Sequence, residues 1–123
     1  MQKQILAVIA SLVLLSGCGG KDEEVSTLVA TTAPEAAAGE KAYKSTCSIC
    51  HKSGLGGAPR MDNKKEWDSR IAQGNEILYD RAINGYRGSK GFMPPRGANI
   101  KLSESEVKAA VDYMVAHTMQ AGY

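Results

Sequence analysis

The stretch Cys47-Ser48-Ile49-Cys50-His51 decides the fold of this chain of 123 residues. Its two cysteines stand three positions apart, and a histidine follows the second cysteine directly. On a helix this spacing places both thiols within one turn, with the imidazole beside them. Three reactive or metal-binding groups therefore lie within five residues, and the rest of the chain must explain what they hold.

The pattern Cys-x-x-Cys-His is the attachment signature of c-type haem. The two thiols add to the vinyl groups of the porphyrin, and the histidine faces the iron. A thioredoxin-like dithiol would need a βαβ pattern, which this sequence does not show. A zinc site would need a fourth ligand, and only His117 is left to supply one. A disulfide between Cys47 and Cys50 would leave His51 without a role, so the sequence predicts one covalent haem c.

Size and composition agree with a small domain built around a cofactor. A chain of 123 residues has room for one domain. Its 15 basic and 13 acidic residues give a net charge of +2, which is too balanced to indicate a nucleic-acid-binding protein. Aromatic residues make up 6% of the chain, which is little for a core, so a cofactor is expected to supply part of the apolar interior.

The pattern of apolar residues predicts an all-α domain of about four short helices. Helices are expected over 36–46, 65–73 and 76–83, and a last one begins after the capping box Ser103-x-x-Glu106. No window alternates as a strand does. The apolar stripe of the last helix consists of Val107, Ala110, Val111, Met114 and Val115. Loops 53–64 and 84–102 are long and rich in glycine, and we expect them to wrap round the haem.

The N-terminus has the features of a bacterial lipoprotein. An apolar run of eleven residues, 5–15, is too short to span a bilayer and is typical of an export signal. It leads into Leu15-Ser16-Gly17-Cys18, which resembles a lipobox. We therefore predict a signal peptide over 1–17, lipidation of Cys18 and a flexible polar tether over 18–35. Gly19 after the cysteine favours the outer membrane, with the domain 36–123 in the periplasm.

The sequence also offers a second axial ligand for the iron. Met93 stands in a loop that Pro94 and Pro95 stiffen, and the proline after it favours an extended backbone at Met93. The chain between His51 and Met93 is long enough to reach the opposite face of a haem. The other methionines fit helix or core positions better: Met61, Met114 and Met119. Two alternatives stay open, namely an empty or water-bound position and ligation by His117.

These residues occur together with several other short motifs: Gly39-x-x-x-Tyr43, Gly57-Ala58-Pro59, Trp67, Met93-Pro94-Pro95 and the segment 107–114. In this combination residues 36–123 resemble a class I c-type cytochrome of the cytochrome c5 group. The resemblance implies a small helical fold in which long loops surround one haem. Many cytochromes c5 have a second cysteine pair after the methionine, and residues 98–101 contain none.

The resemblance also assigns roles to single residues. Gly39 and Tyr43 would lie where the first and last helices cross. The carbonyl group of Pro59 would accept a hydrogen bond from Nδ1 of His51 and so orient the imidazole. Trp67 would pack beside a haem propionate or hydrogen-bond to it, unless it is an ordinary core residue.

An iron held by His51 and Met93 has no position left for a substrate, so we expect a one-electron carrier rather than an enzyme. There are two alternatives to an electron carrier. One is a haem enzyme or gas-binding protein with a labile sixth ligand, and the other is a structural lipoprotein in which haem only stabilises the fold. Redox proteins are the expected partners. Segment 81–103 holds five basic residues and no acidic one, which favours docking on an acidic patch unless it is simply a solvated face. The five are Arg81, Arg87, Lys90, Arg96 and Lys101.

Overall fold

The computed structural model describes residues 32–121, so the predicted signal peptide, Cys18 and most of the predicted tether lie outside it. Helix α1, Ala33–Ala42, continues through a wider π-helical turn, Tyr43–Cys47, into the short helix α2, Ser48–His51. The run begins three residues before the predicted start. The reason is a capping box, in which the backbone N–H of Thr32 donates to the Glu35 carboxylate at 3.0 Å.

Three further helices follow: α3 at Lys64–Ile71, α4 at Asn75–Asn84 and α5 at Glu104–Gln120. The predicted capping box starts α5, because Ser103 Oγ accepts from the backbone N–H of Glu106 at 3.2 Å. Helix α5 is the longest of these helices, with 17 residues. Residues 32–121 thus form four helical runs and belong to the all-α class, as predicted.

One small sheet was not predicted. Strand β1, Tyr86–Arg87, pairs antiparallel with strand β2, Phe92–Met93, and Tyr86 lies opposite Met93. Strands of two residues are too short to show alternation in the sequence, so the expectation of no strand was wrong here. The pairing of the two strands fixes the backbone position of Met93 opposite Tyr86.

The crossing of α1 and α5 is the main packing contact of the fold. A side chain at Gly39 would place its Cβ 2.2 Å from the carbonyl oxygen of Ala109, so only glycine fits. One turn later the rings of Tyr43 and Tyr113 pack with their centroids 5.4 Å apart. The structure therefore brings together the residues that the resemblance assigned to this crossing.

The remaining core is small. Val107, Ala110 and Met114 of the predicted stripe are buried, while Val111 and Val115 are half-buried.

The two long loops meet backbone to backbone, since a Cβ at Gly57 would lie 2.1 Å from the carbonyl oxygen of Lys90. Within residues 32–121, no helix is both long and apolar enough to cross a bilayer. The helices and loops instead surround a cavity.

Candidate haem site

A cavity of about 560 Å³ lies between the Cys47–His51 turn, the two long loops and helix α5. Its volume falls in the range of about 300–1,000 Å³ that is usual for sites of small ligands and cofactors. Cys47, Cys50, His51 and Met93 all line it. The structure thus brings both predicted thiols and both predicted axial ligands to one cavity.

The lining of this cavity suits a large apolar group. Ile49, Leu55 and Phe92 line the cavity and are 64%, 60% and 51% exposed. Large apolar side chains around one opening indicate a surface that something else covers. A porphyrin attached through Cys47 and Cys50 would cover such side chains, so the residues present fit haem.

Both cysteines of the motif are free thiols in the structure, and no disulfide joins them. Both thiols are half-buried, and burial raises the pKa of the Cys47 thiol. Among residues 32–121, no three His, Cys, Asp or Glu side chains come close enough to hold a metal ion. The zinc interpretation therefore has no structural basis in this part of the chain.

His51 is buried and held in one orientation. Its Nδ1 lies 2.9 Å from the carbonyl oxygen of Pro59. A carbonyl can only accept, so Nδ1 carries the proton and Nε2 keeps its lone pair. Burial lowers the pKa of His51; the hydrogen bond to Pro59 opposes this shift, and the positive charge of Arg70 adds to it. The outcome is a neutral imidazole with one nitrogen available to a metal.

Trp67 lies against this imidazole, with ring centroids 5.9 Å apart. Its indole N–H donates to the carbonyl oxygen of Arg60 at 2.8 Å. Because indole has only one N–H, the suggested hydrogen bond from Trp67 to a haem propionate is not supported. Trp67 is instead a buried packing residue that also lines the cavity.

The methionines occupy different places. Met93 is half-buried on β2 at the cavity, and Met61 and Met114 pack in a buried cluster with Trp67. Met114 also lines the cavity, whereas Met61 does not. That cluster adjoins the His51 side of the site, because Trp67 touches His51. His117 stacks on Tyr113 with centroids 5.8 Å apart and is not among the residues that line the cavity.

Many residues of the cavity wall were missed from the sequence, among them Leu55 and Phe92. Leu55 and Phe92 are isolated large apolar residues in glycine-rich loops, and both reach the cavity. The only signal in the sequence was a single large apolar residue in an otherwise polar loop. Such a residue can be recognised as part of a cavity wall only when the fold shows which residues lie beside it.

Comparison with known proteins agrees with this geometry. The family model described as "Cytochrome C oxidase, cbb3-type, subunit III" matches residues 34–114. Cytochrome c-555 of Chlorobaculum tepidum is 46% identical over 84 residues, which cover 68% of this chain and 78% of that protein. The chain belongs to the class I c-type cytochromes. This cytochrome accordingly carries covalently bound haem c, as the Cys-x-x-Cys-His motif predicted.

More distant relatives support the cytochrome c5-like character of this cytochrome. Cytochrome c5 of Azotobacter vinelandii is 31% identical over 81 residues, covering 64% of this chain and 93% of that protein. A solved structure is described as the electron transfer complex of nitrite reductase with cytochrome c. Its matching chain is 38% identical with a TM-score of 0.58, covering 66% of this cytochrome and 94% of that chain. These curated relatives are named as cytochromes c and not as enzymes, in agreement with the prediction.

Proposed function

We propose that this cytochrome is a monohaem one-electron carrier between respiratory redox partners on the periplasmic side of a bacterial membrane. Its haem iron would be ligated by His51 and Met93. The observation that carries the proposal is the single cavity to which the two thiols, His51 and Met93 all contribute. The names of the cytochrome c relatives, and the description of the similar solved structure as an electron transfer complex, support the same function.

Haem bound in this cavity supplies a one-electron change between ferrous and ferric iron. The chain fixes the imidazole of His51 through Pro59 and encloses it with Trp67. As a ligand, the soft thioether of Met93 would favour the ferrous state and so raise the potential. His51 and Met93 together would leave no open position for a substrate, which suits a carrier better than a catalyst.

The direct test of the ligation is the substitution Met93→Ala. We expect it to abolish the weak red charge-transfer band of methionine-bound ferric haem, to lower the potential and to let exogenous ligands bind. The optical spectrum of the purified ferric protein reports the loss of the band and the binding of exogenous ligands, and a redox titration measures the potential. Met61→Leu and Met114→Leu are the matched controls, because both methionines pack in the buried cluster with Trp67. A band that persists in Met93→Ala would assign the sixth ligand to another residue.

We also propose that segment 81–103 docks on an acidic patch of the partner. Arg81, Lys90 and Arg96 line the cavity, and two of them already have acidic neighbours within the chain. Lys90 Nζ lies 3.0 Å from Glu66, and Arg96 lies 3.7 Å from Glu104. These contacts reduce the positive charge that the segment offers to a partner.

The arginines at the hairpin support docking more directly. Arg87 is exposed and stands 5.1 Å from the centroid of Phe92, while Arg81 stands 4.1 Å from that of Tyr86. Such stacking leaves the guanidinium groups charged. Arg81 lines the cavity, and Arg87 lies over Phe92, which also lines it. Residues Arg87 and Arg81 are therefore the strongest candidates to meet an acidic partner.

The membrane attachment rests on the sequence alone, because Cys18 lies outside residues 32–121. We propose that lipidation at Cys18 anchors the protein, with the outer membrane favoured, and that residues 18–35 tether the domain. Cys18→Ser should then release the protein from the membrane or leave it unprocessed. Recovery of the unaltered full-length protein entirely in the soluble fraction would contradict the anchor.

A further inference from the structure

The loop that follows Met93 adopts a strained backbone. Arg96, Gly97 and Ala98 have consecutive φ values of 52°, 63° and 68°, in the left-handed region. Glycine accepts this conformation, but arginine and alanine do so only when surrounding contacts impose it. The contacts that hold this turn therefore also hold the segment that carries Met93.

Most of these contacts are local to the loop and to the start of α5. The Arg96 guanidinium donates to the carbonyl oxygen of Leu102 at 2.6 Å. The backbone N–H of Asn99 donates to Arg96 at 3.1 Å, and the Asn99 side-chain oxygen accepts from Lys101 at 3.2 Å. None of these bonds connects the turn to the helix that bears the cysteines.

One side-chain hydrogen bond makes that connection. Asn99 Nδ2 donates to Thr46 Oγ1 at 3.1 Å, across 53 positions of sequence. Thr46 is buried, precedes Cys47 directly and belongs to the π-helical turn. Its methyl group also touches the turn, because a Cβ at Gly97 would lie 3.0 Å from Thr46 Cγ2. Thr46 thus joins the haem-attachment helix to the Met93 loop by a hydrogen bond and a packing contact.

We propose that Thr46 and Asn99 are positioning residues for Met93, and that their hydrogen bond slows the departure of Met93 from the iron. This inference rests on the proposed ligation by Met93. The bond fixes the end of the strained turn against the helix that holds the other side of the haem. Without it, the turn can relax toward ordinary φ values and carry Met93 away from the cavity.

The test measures how fast imidazole replaces Met93 in the ferric full-length protein. Imidazole can enter only after Met93 leaves, so at saturating imidazole the rate equals the rate of Met93 departure. Thr46→Val keeps the shape of the side chain and removes the hydroxyl, and Asn99→Ala removes the donor. Each should raise the limiting rate roughly five- to tenfold, the factor expected for one lost hydrogen bond. The double variant should be no faster than either single variant, since both remove the same bond.

Two controls separate positioning from folding. Thr46→Ser restores a hydroxyl and should return the limiting rate to within about twofold of the original, by retaining the bond. Ser48→Ala removes a hydroxyl from the same helix, where it bonds to the Lys44 carbonyl at 3.0 Å, and should leave the rate unchanged. A normal charge-transfer band with unchanged rates in Thr46→Val and Asn99→Ala would overturn the positioning role alone. A missing band in the unaltered protein would overturn the ligation by Met93 together with it.

Discussion

At the scale of single residues, two adjacent carbonyl groups organise the histidine side of the site. Pro59 accepts from His51 at 2.9 Å, and Arg60 accepts from Trp67 at 2.8 Å. Each aromatic ring is therefore fixed by a backbone oxygen of the same loop, 53–64. The orientation of His51 depends on a segment that Trp67 in turn holds in place.

Trp67→Phe tests this arrangement. The substitution removes the N–H that satisfies Arg60 and leaves unfilled volume in a buried cluster, so unfolding should require about 1.5–3 kcal/mol less free energy. Urea titration of the haem-containing protein measures this. The potential should stay nearly constant, because Trp67 has no hydrogen bond left for a propionate. A large shift of potential with little loss of stability would instead show contact with a charged group of the haem.

At the scale of elements, a polar contact connects α4 to α5. The hydroxyl of Tyr79 donates to the Asp112 carboxylate, and Asn75 Nδ2 approaches the same carboxylate oxygen at 3.3 Å. Burial, followed by the hydrogen bond to Asp112, raises the pKa of Tyr79 to about 12. The contact joins the helix that precedes the Met93 hairpin to the helix that crosses α1.

The raised pKa gives the contact a characteristic pH dependence. An unfolded tyrosine ionises near pH 10 and Tyr79 near 12, so its contribution is complete below about pH 10 and is lost as pH rises toward 12. Tyr79→Phe should lower the stability by about 1 kcal/mol at neutral pH, with a smaller difference at pH 12. Denaturant titrations across this range measure it. Tyr86→Phe is the control, and a difference that does not change with pH would contradict the assignment.

The elements also show what the sequence could predict. Helix α5 could be located from the capping box Ser103-x-x-Glu106 and the apolar stripe after it. Both signals depend only on residues that are close together in the sequence. The hairpin was missed because its two-residue strands are too short to show alternation, and the π-helical turn because it continues a helical run. Thr46 and Asn99 were missed because their contact joins positions that are 53 residues apart in the sequence. Met93 could be predicted as a ligand from its prolines, but its place at the cavity required the fold.

At the scale of the whole molecule, positive charge gathers at the rim of the cavity. Arg81 and Arg87 stand over aromatic rings of the hairpin, whereas Lys90 is paired with Glu66. Lys90 lowers the pKa of the Glu66 carboxyl, helped by the backbone N–H of Arg60. We therefore expect Arg87 to attract anionic reagents more strongly than Lys90 does.

Arg87→Glu should slow oxidation of the ferrous protein by hexacyanoferrate(III), a trivalent anion. At about 20 Å in water, reversing one charge against three is worth about 1.2 kcal/mol, or roughly eightfold in rate at low salt. The effect should shrink at physiological ionic strength, where the Debye length is about 8 Å. Stopped-flow absorbance gives the rates. Lys108→Glu, on α5, is the matched charge reversal and should have a smaller effect. Equal rates for both variants would show that Arg87 does not face the path of the reagent.

We expect the chain to hold one covalent haem, enclosed by His51 and Met93, for the transfer of single electrons. An optical redox titration of the purified full-length protein tests it most directly. We expect one reversible one-electron transition between two low-spin forms, with the methionine charge-transfer band present in the ferric form. A high-spin spectrum that responds to added ligands without any substitution, or the absence of a reversible one-electron transition, would contradict it.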